Sequence, residues 1–180
     1  MQPVAYRTKT YVAGDWSADE DLIRQLYEWK NNPFRDLHFS DAHEYTQARD
    51  TSLNCSIKTS LWERLRRSRQ FILVVGSHTD SLRSGSCSLC KSYNRDLNYC
   101  GRDRSRSLDM RSFVEYECEY AANNISDVVV LYRYQTVMKS QCPEVLRDVG
   151  LHVPARIWSP RSGEYKWDYE AIRRAINRWG

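Results

Sequence analysis

Residues Phe71-Ile72-Leu73-Val74-Val75 form an unbroken apolar run that ends at Gly76. Successive side chains of a strand point to opposite faces, so a strand with no polar member is buried on both, as in the middle of a parallel sheet covered by helices. Val128-Val129-Val130-Leu131-Tyr132 repeats the pattern. Parallel neighbours cannot be joined by a tight turn and need crossovers, usually helical ones.

The rest of the chain supplies them. Thr8 to Ala13 is rich in β-formers and leads through Gly14-Asp15-Trp16 into Ser17-Ala18-Asp19-Glu20, which reads as a capping box opening a helix. Leu22, Ile23, Leu26 and Trp29 recur there at helical spacing, and Asn31-Asn32-Pro33 stops it. Leu37 to Ser40 reads as a short second strand ending at Asp41-Ala42-His43, and Glu44 to Asn54 as a polar surface loop. Ile57, Leu61 and Leu65 mark a second helix before the central run, and Phe113 to Ala121 a third after it. A small helix at Cys142-Pro143-Glu144-Val145-Leu146 follows the fourth strand. A last strand, Ala155 to Trp158, leads to a closing helix with Tyr169, Ile172, Ala175, Ile176 and Trp179 on its apolar face. Five strands alternating with five helices predict a doubly wound three-layer α/β sandwich, its parallel sheet in the order 2-1-3-4-5. The length predicts one domain over 1–180, interrupted at about 84–109 by an insert rich in arginine (Arg95, Arg102, Arg104, Arg106) and cysteine (Cys87, Cys90, Cys100).

Composition narrows the setting. The chain is 41% hydrophobic and 28% charged, and no apolar run approaches the ~20 residues of a membrane-spanning helix. The first residues, Met1 to Arg7, lack the apolar stretch of a signal peptide, so a cytoplasmic location with reduced cysteines is expected. The net charge of +4 is too small to point to nucleic acid except within the insert.

In an open parallel sheet, ligands bind beyond the carboxyl ends of the strands, where the strand order reverses. That rule nominates Asp15, Trp16 and Ser17 after strand one, Asp41 and His43 after strand two, and Ser77 and His78 after strand three. Trp16 offers a face on which a flat ring can stack, and the carboxylates and hydroxyls can fix a ribose. Each also has an ordinary use as a packed aromatic, a turn residue or a satisfied polar group. Glu117 stands out separately. On a helix, Met110, Val114, Cys118 and Ala121 share one stripe, Glu115 and Glu119 point away, and Glu117 sits on the margin beside Phe113. A half-buried acid is costly unless it has a partner, such as Arg111, or a chemical role.

Other chemistries lack their residues. Gly76-Ser77-His78 and Trp158-Ser159-Pro160 stand where a phosphoacceptor receiver domain needs an Asp and a Lys. Gly14 alone is neither a dinucleotide fingerprint nor a phosphate loop, and no serine lies in a nucleophile elbow. Cys87-x2-Cys90-x9-Cys100 is an incomplete zinc signature that wants a fourth ligand, for which His78 and Cys118 are candidates; a zinc-bound nucleic-acid contact is one use for such an insert.

Thr10-Tyr11-Val12-Ala13, Trp29-Lys30, Phe39-Ser40-Asp41-Ala42-His43, Ala48-Arg49-Asp50-Thr51-Ser52, Ile57-Lys58-x2-Leu61-x-Glu63-Arg64, Val74-Val75-Gly76-x2-Thr79, Val114-x-Tyr116-Glu117-x-Glu119-x-Ala121 and Cys142-Pro143 together carry a family resemblance. Outside the insert, almost all of the chain resembles the TIR-like family of bacterial proteins that includes the TIR component of Thoeris anti-phage defence. The resemblance implies a flavodoxin-like, TIR-like sandwich. It also makes Tyr116-Glu117 the counterpart of the family's WE-type dipeptide, with Glu117 as the catalytic carboxylate and Tyr116 beside the substrate. The implied reaction is cleavage of the nicotinamide–ribose bond of NAD+, the substrate, to ADP-ribose or a cyclic ADP-ribose-type signal with no added cofactor. Self-association and a separate effector that senses the product are implied as well. The rival reading is a non-catalytic TIR-like adaptor or nucleotide-sensing module on the same fold. Two features depart from the family pattern: Gly14-Asp15-Trp16-Ser17 places its aromatic after Asp15, and the insert is extra.

Overall fold

The structure, a computed structural model, describes residues 7–42, 53–102 and 107–178. In chain order the elements are β1 (Lys9–Ala13), α1 (Glu20–Asn31), α2 (Asn54–Leu65), β2 (Ser68–Val75), β3 (Tyr93–Asn94), β4 (Tyr99–Cys100), α3 (Phe113–Asn124), β5 (Asp127–Tyr132), β6 (Leu151–Pro154), β7 (Arg156–Ser159), β8 (Glu164–Trp167) and α4 (Tyr169–Ile176). The main sheet is four-stranded and parallel, in the order β1-β2-β5-β6.

The apolar run of β2 does what its composition dictates. Phe71, Leu73 and Val75 face one side, with Tyr11 and Ala13 of β1 and Val128, Val130 and Tyr132 of β5, and pack against Leu61 and Leu65 of α2 and Val114, Cys118 and Ala121 of α3. Ile72 and Val74 face the other side, with Val12, Val129, Leu131 and Val153, against Leu22, Ile23, Leu26 and Trp29 of α1 and Ile172, Ala175 and Ile176 of α4. Three layers result, and the doubly wound α/β class read from the sequence is the one observed.

Two strands differ from expectation. Leu37 to Ser40 does not form a strand: beyond β1 the described residues make one parallel bridge, Thr10 to Asp41, in which Thr10 N–H donates to the Ser40 carbonyl at 2.7 Å and Ala42 N–H to the Thr10 carbonyl at 2.9 Å. Leu37 and Phe39 are buried, so this edge is held by two side chains more than by a ladder. The order 2-1-3-4-5 survives with four strands and a bridge instead of five strands. The last parallel strand is Leu151–Pro154, not Ala155 to Trp158. Val153 of this strand and Ala155 just after it enter the core, whereas Arg156–Ser159 turns away to pair antiparallel with Glu164–Trp167. Ile157 and Trp158 are accordingly half-exposed, Trp158 resting edge-on against Tyr165 at 5.1 Å.

The helix starts are set by local chemistry. Ser112 caps α3: its Oγ accepts from the Glu115 N–H at 3.1 Å while Glu115 Oε2 accepts from the Ser112 N–H at 2.6 Å. Met110 therefore lies before the helix and is half-exposed, outside the stripe expected for it. Ser112→Ala is expected to cost about 1 kcal/mol in urea unfolding. The expected box at Ser17 does not form. Ser17 turns to Asp15, and Asp19 is the N-cap of α1, buried and held by Arg133 at 3.1 Å. Gly76 makes room for that carboxylate, since a Cβ there would run into Asp19. Gly76→Ala should destabilise the fold by about 1–3 kcal/mol, read as a lower urea midpoint, because the buried Asp19–Arg133 pair has nowhere to retreat.

Candidate functional site

Glu117 belongs to the buried face of α3, with Val114, Cys118 and Ala121, and is only 7% exposed. Its Oε1 accepts a hydrogen bond of 2.5 Å from the phenol of Tyr11 on β1. Tyr11 points the same way as Ala13 because alternate residues of a strand share a face, and α3 packs on that face. Burial pushes the Glu117 carboxyl up from its ordinary 4.5 to about 7, against the opposing pull of the Tyr11 hydrogen bond and the Arg64 guanidinium. Burial and then the Glu117 charge raise the Tyr11 phenol well above its ordinary value, so it acts as a proton donor throughout the working range.

This pair forms one wall of a cavity of about 260 Å³, bounded by Gly14, Asp15 and Trp16 after β1, by Arg64 of α2 and by Phe113 of α3. A carboxylate at the wall, an indole at the mouth and a guanidinium nearby can hold a ribose, an electron-poor ring and an anionic group respectively. Trp16 is half-exposed and tilts at 34° against Tyr27, 6.2 Å away. Asp15 is ionised: burial pushes its carboxyl up, but the hydroxyl and N–H of Ser17 and the N–H of Ala18 outweigh that and hold it below the usual range.

Of the residues expected from sequence, Glu117, Asp15 and Trp16 share this cavity. Ser17 reaches it only through Asp15, whose Oδ1 accepts from the Ser17 hydroxyl at 2.6 Å. Asp41 is not among the lining residues; it is buried and accepts from the Tyr27 hydroxyl at 2.8 Å. Ser77 and His78 are exposed beyond β2 and do not line the cavity. Tyr116 points elsewhere, beneath the Arg111 guanidinium at 4.9 Å. Arg111 in turn pairs with Glu119 at 2.8 Å, so it is not the partner of Glu117. His43 lies outside the described residues.

Tyr11 and Arg64 are the functional candidates that reading the sequence by strand ends passed over. A tyrosine amid the apolar side chains of β1 was the available signal for the first; nothing local distinguishes Arg64 from its arginine neighbours. Cys87, Cys90 and Cys100 border a separate cavity of about 300 Å³, with Cys55 and Tyr116 also in its wall. Among the described residues no three Cys, His, Asp or Glu side chains are already gathered closely enough to grip an ion.

Residues 10–84 match the family described as Thoeris protein ThsB, TIR-like domain. The chain is TIR-like over that segment. The match runs from β1 through β2, so it contains Tyr11, Asp15, Trp16 and Arg64, while α3 with Glu117 lies beyond it. No curated protein matches the chain. No helix among the described residues is long and apolar enough to cross a membrane.

Proposed function

We propose that this TIR-like protein cleaves the nicotinamide–ribose bond of NAD+, with Glu117 as the catalytic carboxylate, and that the product signals to a separate effector in anti-phage defence. The observation that carries the reading is the buried Glu117–Tyr11 pair in the wall of a cavity that opens beside Trp16 at the carboxyl end of β1. The TIR-like match over residues 10–84 supports it.

The chemistry requires one carboxylate. The C1′–N bond breaks with its electron pair going to the pyridinium nitrogen, so nicotinamide leaves neutral and needs no general acid. Positive charge develops on the ribose, where ionised Glu117 stabilises the oxocarbenium and accepts from a ribose hydroxyl. Tyr11 fixes the rotamer of the acid, the indole of Trp16 stacks on the departing ring, and Arg64 faces the pyrophosphate. Water attacking C1′ gives ADP-ribose and a proton; a hydroxyl or ring nitrogen of the same molecule gives a cyclic product and likewise releases a proton.

The test is nicotinamide release from NAD+ by purified protein, assayed across a range of protein concentrations because self-association is expected to complete the site, with products weighed by mass spectrometry. Release, with a product mass assigning hydrolysis or cyclisation, is the expected result. No release at any concentration, with or without extract of phage-infected cells, would favour the adaptor reading.

A further inference from the structure

A second cavity, of about 300 Å³, lies between α2 and the insert and shares no lining residue with the one at Glu117. The two helices beside them divide the space. α2 presents Leu61 and Arg64 to the cavity at Glu117 but Lys58 and Trp62 to the second one, and α3 presents Phe113 and Glu117 to the first but Tyr116 to the second. Four of the six cysteines border this second cavity. Cys55 comes from the first turn of α2, Cys87 and Cys90 from either end of a 3-10 turn, and Cys100 from the end of the β3–β4 hairpin, whose Tyr93 adds another ring to the wall.

We infer that this cavity is a second ligand site, which takes one small, uncharged, planar aromatic molecule. Its size lies at the lower end of the ~300–1,000 Å³ found for ligand pockets, so it has room for a single small occupant. Charge selects which kind. The charged groups in the wall are one cation and one anion, Lys58 and Asp109. Lys58 is only 6% exposed, and its three ammonium hydrogens already meet the Arg111 carbonyl at 2.6 Å, the Asp109 carbonyl at 3.2 Å and Asp109 Oδ1 at 3.2 Å. Asp109 also accepts from the Arg111 guanidinium, at 2.9 Å on Oδ1 and 2.8 Å on Oδ2. Burial pushes its carboxyl up, but Arg111 and then Lys58 outweigh that and hold it at about 2, so the pair stays ionised. With the charges cancelled and their hydrogen bonds taken, neither group draws an ionic ligand. The surface left for contact is sulfur and aromatic ring, both of which favour an aromatic partner.

The wall is fixed in advance. The Asn54 side chain at the start of α2 donates to the Ser86 carbonyl at 2.8 Å, and Cys87 N–H donates to the Asp109 carbonyl at 3.0 Å. Asp109 N–H points back at Cys87 Sγ from 3.3 Å, while Lys58 ties that strand of contacts to α2. A ligand entering here meets groups already held in place, which lowers the ordering cost of binding.

Calorimetric titration of full-length, reduced protein with 2-naphthol should give saturable binding of about one molecule per chain. 2-Naphthalenesulfonate, the same ring with a fixed negative charge, should bind about tenfold more weakly or worse. Trp62→Ala and Tyr93→Ala should each weaken 2-naphthol several-fold, whereas Glu117→Gln should leave its affinity unchanged. Bound 2-naphthol should also slow iodoacetamide alkylation of Cys55, Cys87, Cys90 and Cys100 about fivefold or more, mapped by peptide mass. Absence of saturable binding would overturn the proposal, and so would equal affinity for the sulfonate. Binding that both wall variants leave intact, that Glu117→Gln abolishes, or that leaves the four cysteines as open to alkylation as before would overturn it too. None of these readouts depends on NAD+ turnover.

Discussion

Glu117→Gln is expected to lower nicotinamide release from NAD+ by about 10²- to 10³-fold while the protein still folds and still binds the dinucleotide. Gln keeps the shape of the side chain, and its carbonyl can accept from the Tyr11 hydroxyl that Glu117 Oε1 now engages at 2.5 Å. What it lacks is the negative charge that meets the oxocarbenium. The loss therefore falls on kcat, with KM changing much less, because the missing interaction forms as the bond breaks. The companion observation is stability. Gln cannot ionise, so at pH 8 the variant should unfold at the same urea concentration as the parent or at a higher one. Turnover equal to that of the parent would remove Glu117 from the mechanism, and collapse of the variant would mean that the carboxylate is structural.

Activity and stability should respond to pH in opposite directions. Burial raises the Glu117 carboxyl to about 7, and the reaction uses its ionised form. In the free protein kcat/KM should thus climb about tenfold per unit below that value and level off above it. For stability, a carboxyl whose folded value lies above its ordinary 4.5 binds its proton more tightly in the native state. Its contribution is fully present below 4.5 and is lost as pH rises through about 7. A shift of that size corresponds to about 3 kcal/mol between the two limits. The groups facing Glu117 across the cavity are Tyr11 and Arg64, both of which favour its ionised form, with ionised Asp15 also in the wall. Tyr11→Phe removes one of these supports and should move the activity midpoint upward. A flat profile from pH 5 to 9 in parent and Tyr11→Phe alike would show that Glu117 does not titrate in the rate-determining step. Stability that rises through this window, in the parent but not in Glu117→Gln, would contradict the burial cost.

Burial of this kind also explains how much was legible in the sequence. The central strands Phe71–Val75 and Val128–Tyr132 could be read directly, because a fully apolar strand has few environments that accept it, and these two fix the class of the fold. Glu117 was partly legible for a related reason: helical periodicity alone places it on the margin of the packed stripe beside Phe113, and the structure turns it fully onto the buried face with Val114 and Cys118. The two errors in the sheet arose where that logic weakens. At the edge beyond β1 a strand is covered on one side only, so Leu37 and Phe39 can be buried with a single backbone bridge. Ile157 and Trp158 look like core, yet a two-stranded hairpin outside the sheet satisfies their backbone and leaves them half-exposed.

By itself, then, the sequence determined the alternation of strands and helices, the two faces of the sheet and the apolar stripe of α3 beside which the acid lies, all of which are local periodicities in one chain segment. Only the tertiary structure decided who meets whom. Tyr11 and Glu117 are separated by 106 positions and come together because α3 packs across the face of β1. Asp41 was drawn away to Tyr27, and Cys55 was brought to the insert by the start of α2. Such pairings depend on the register between separate elements, which the packing of both apolar faces sets at once and no single stretch of sequence encodes.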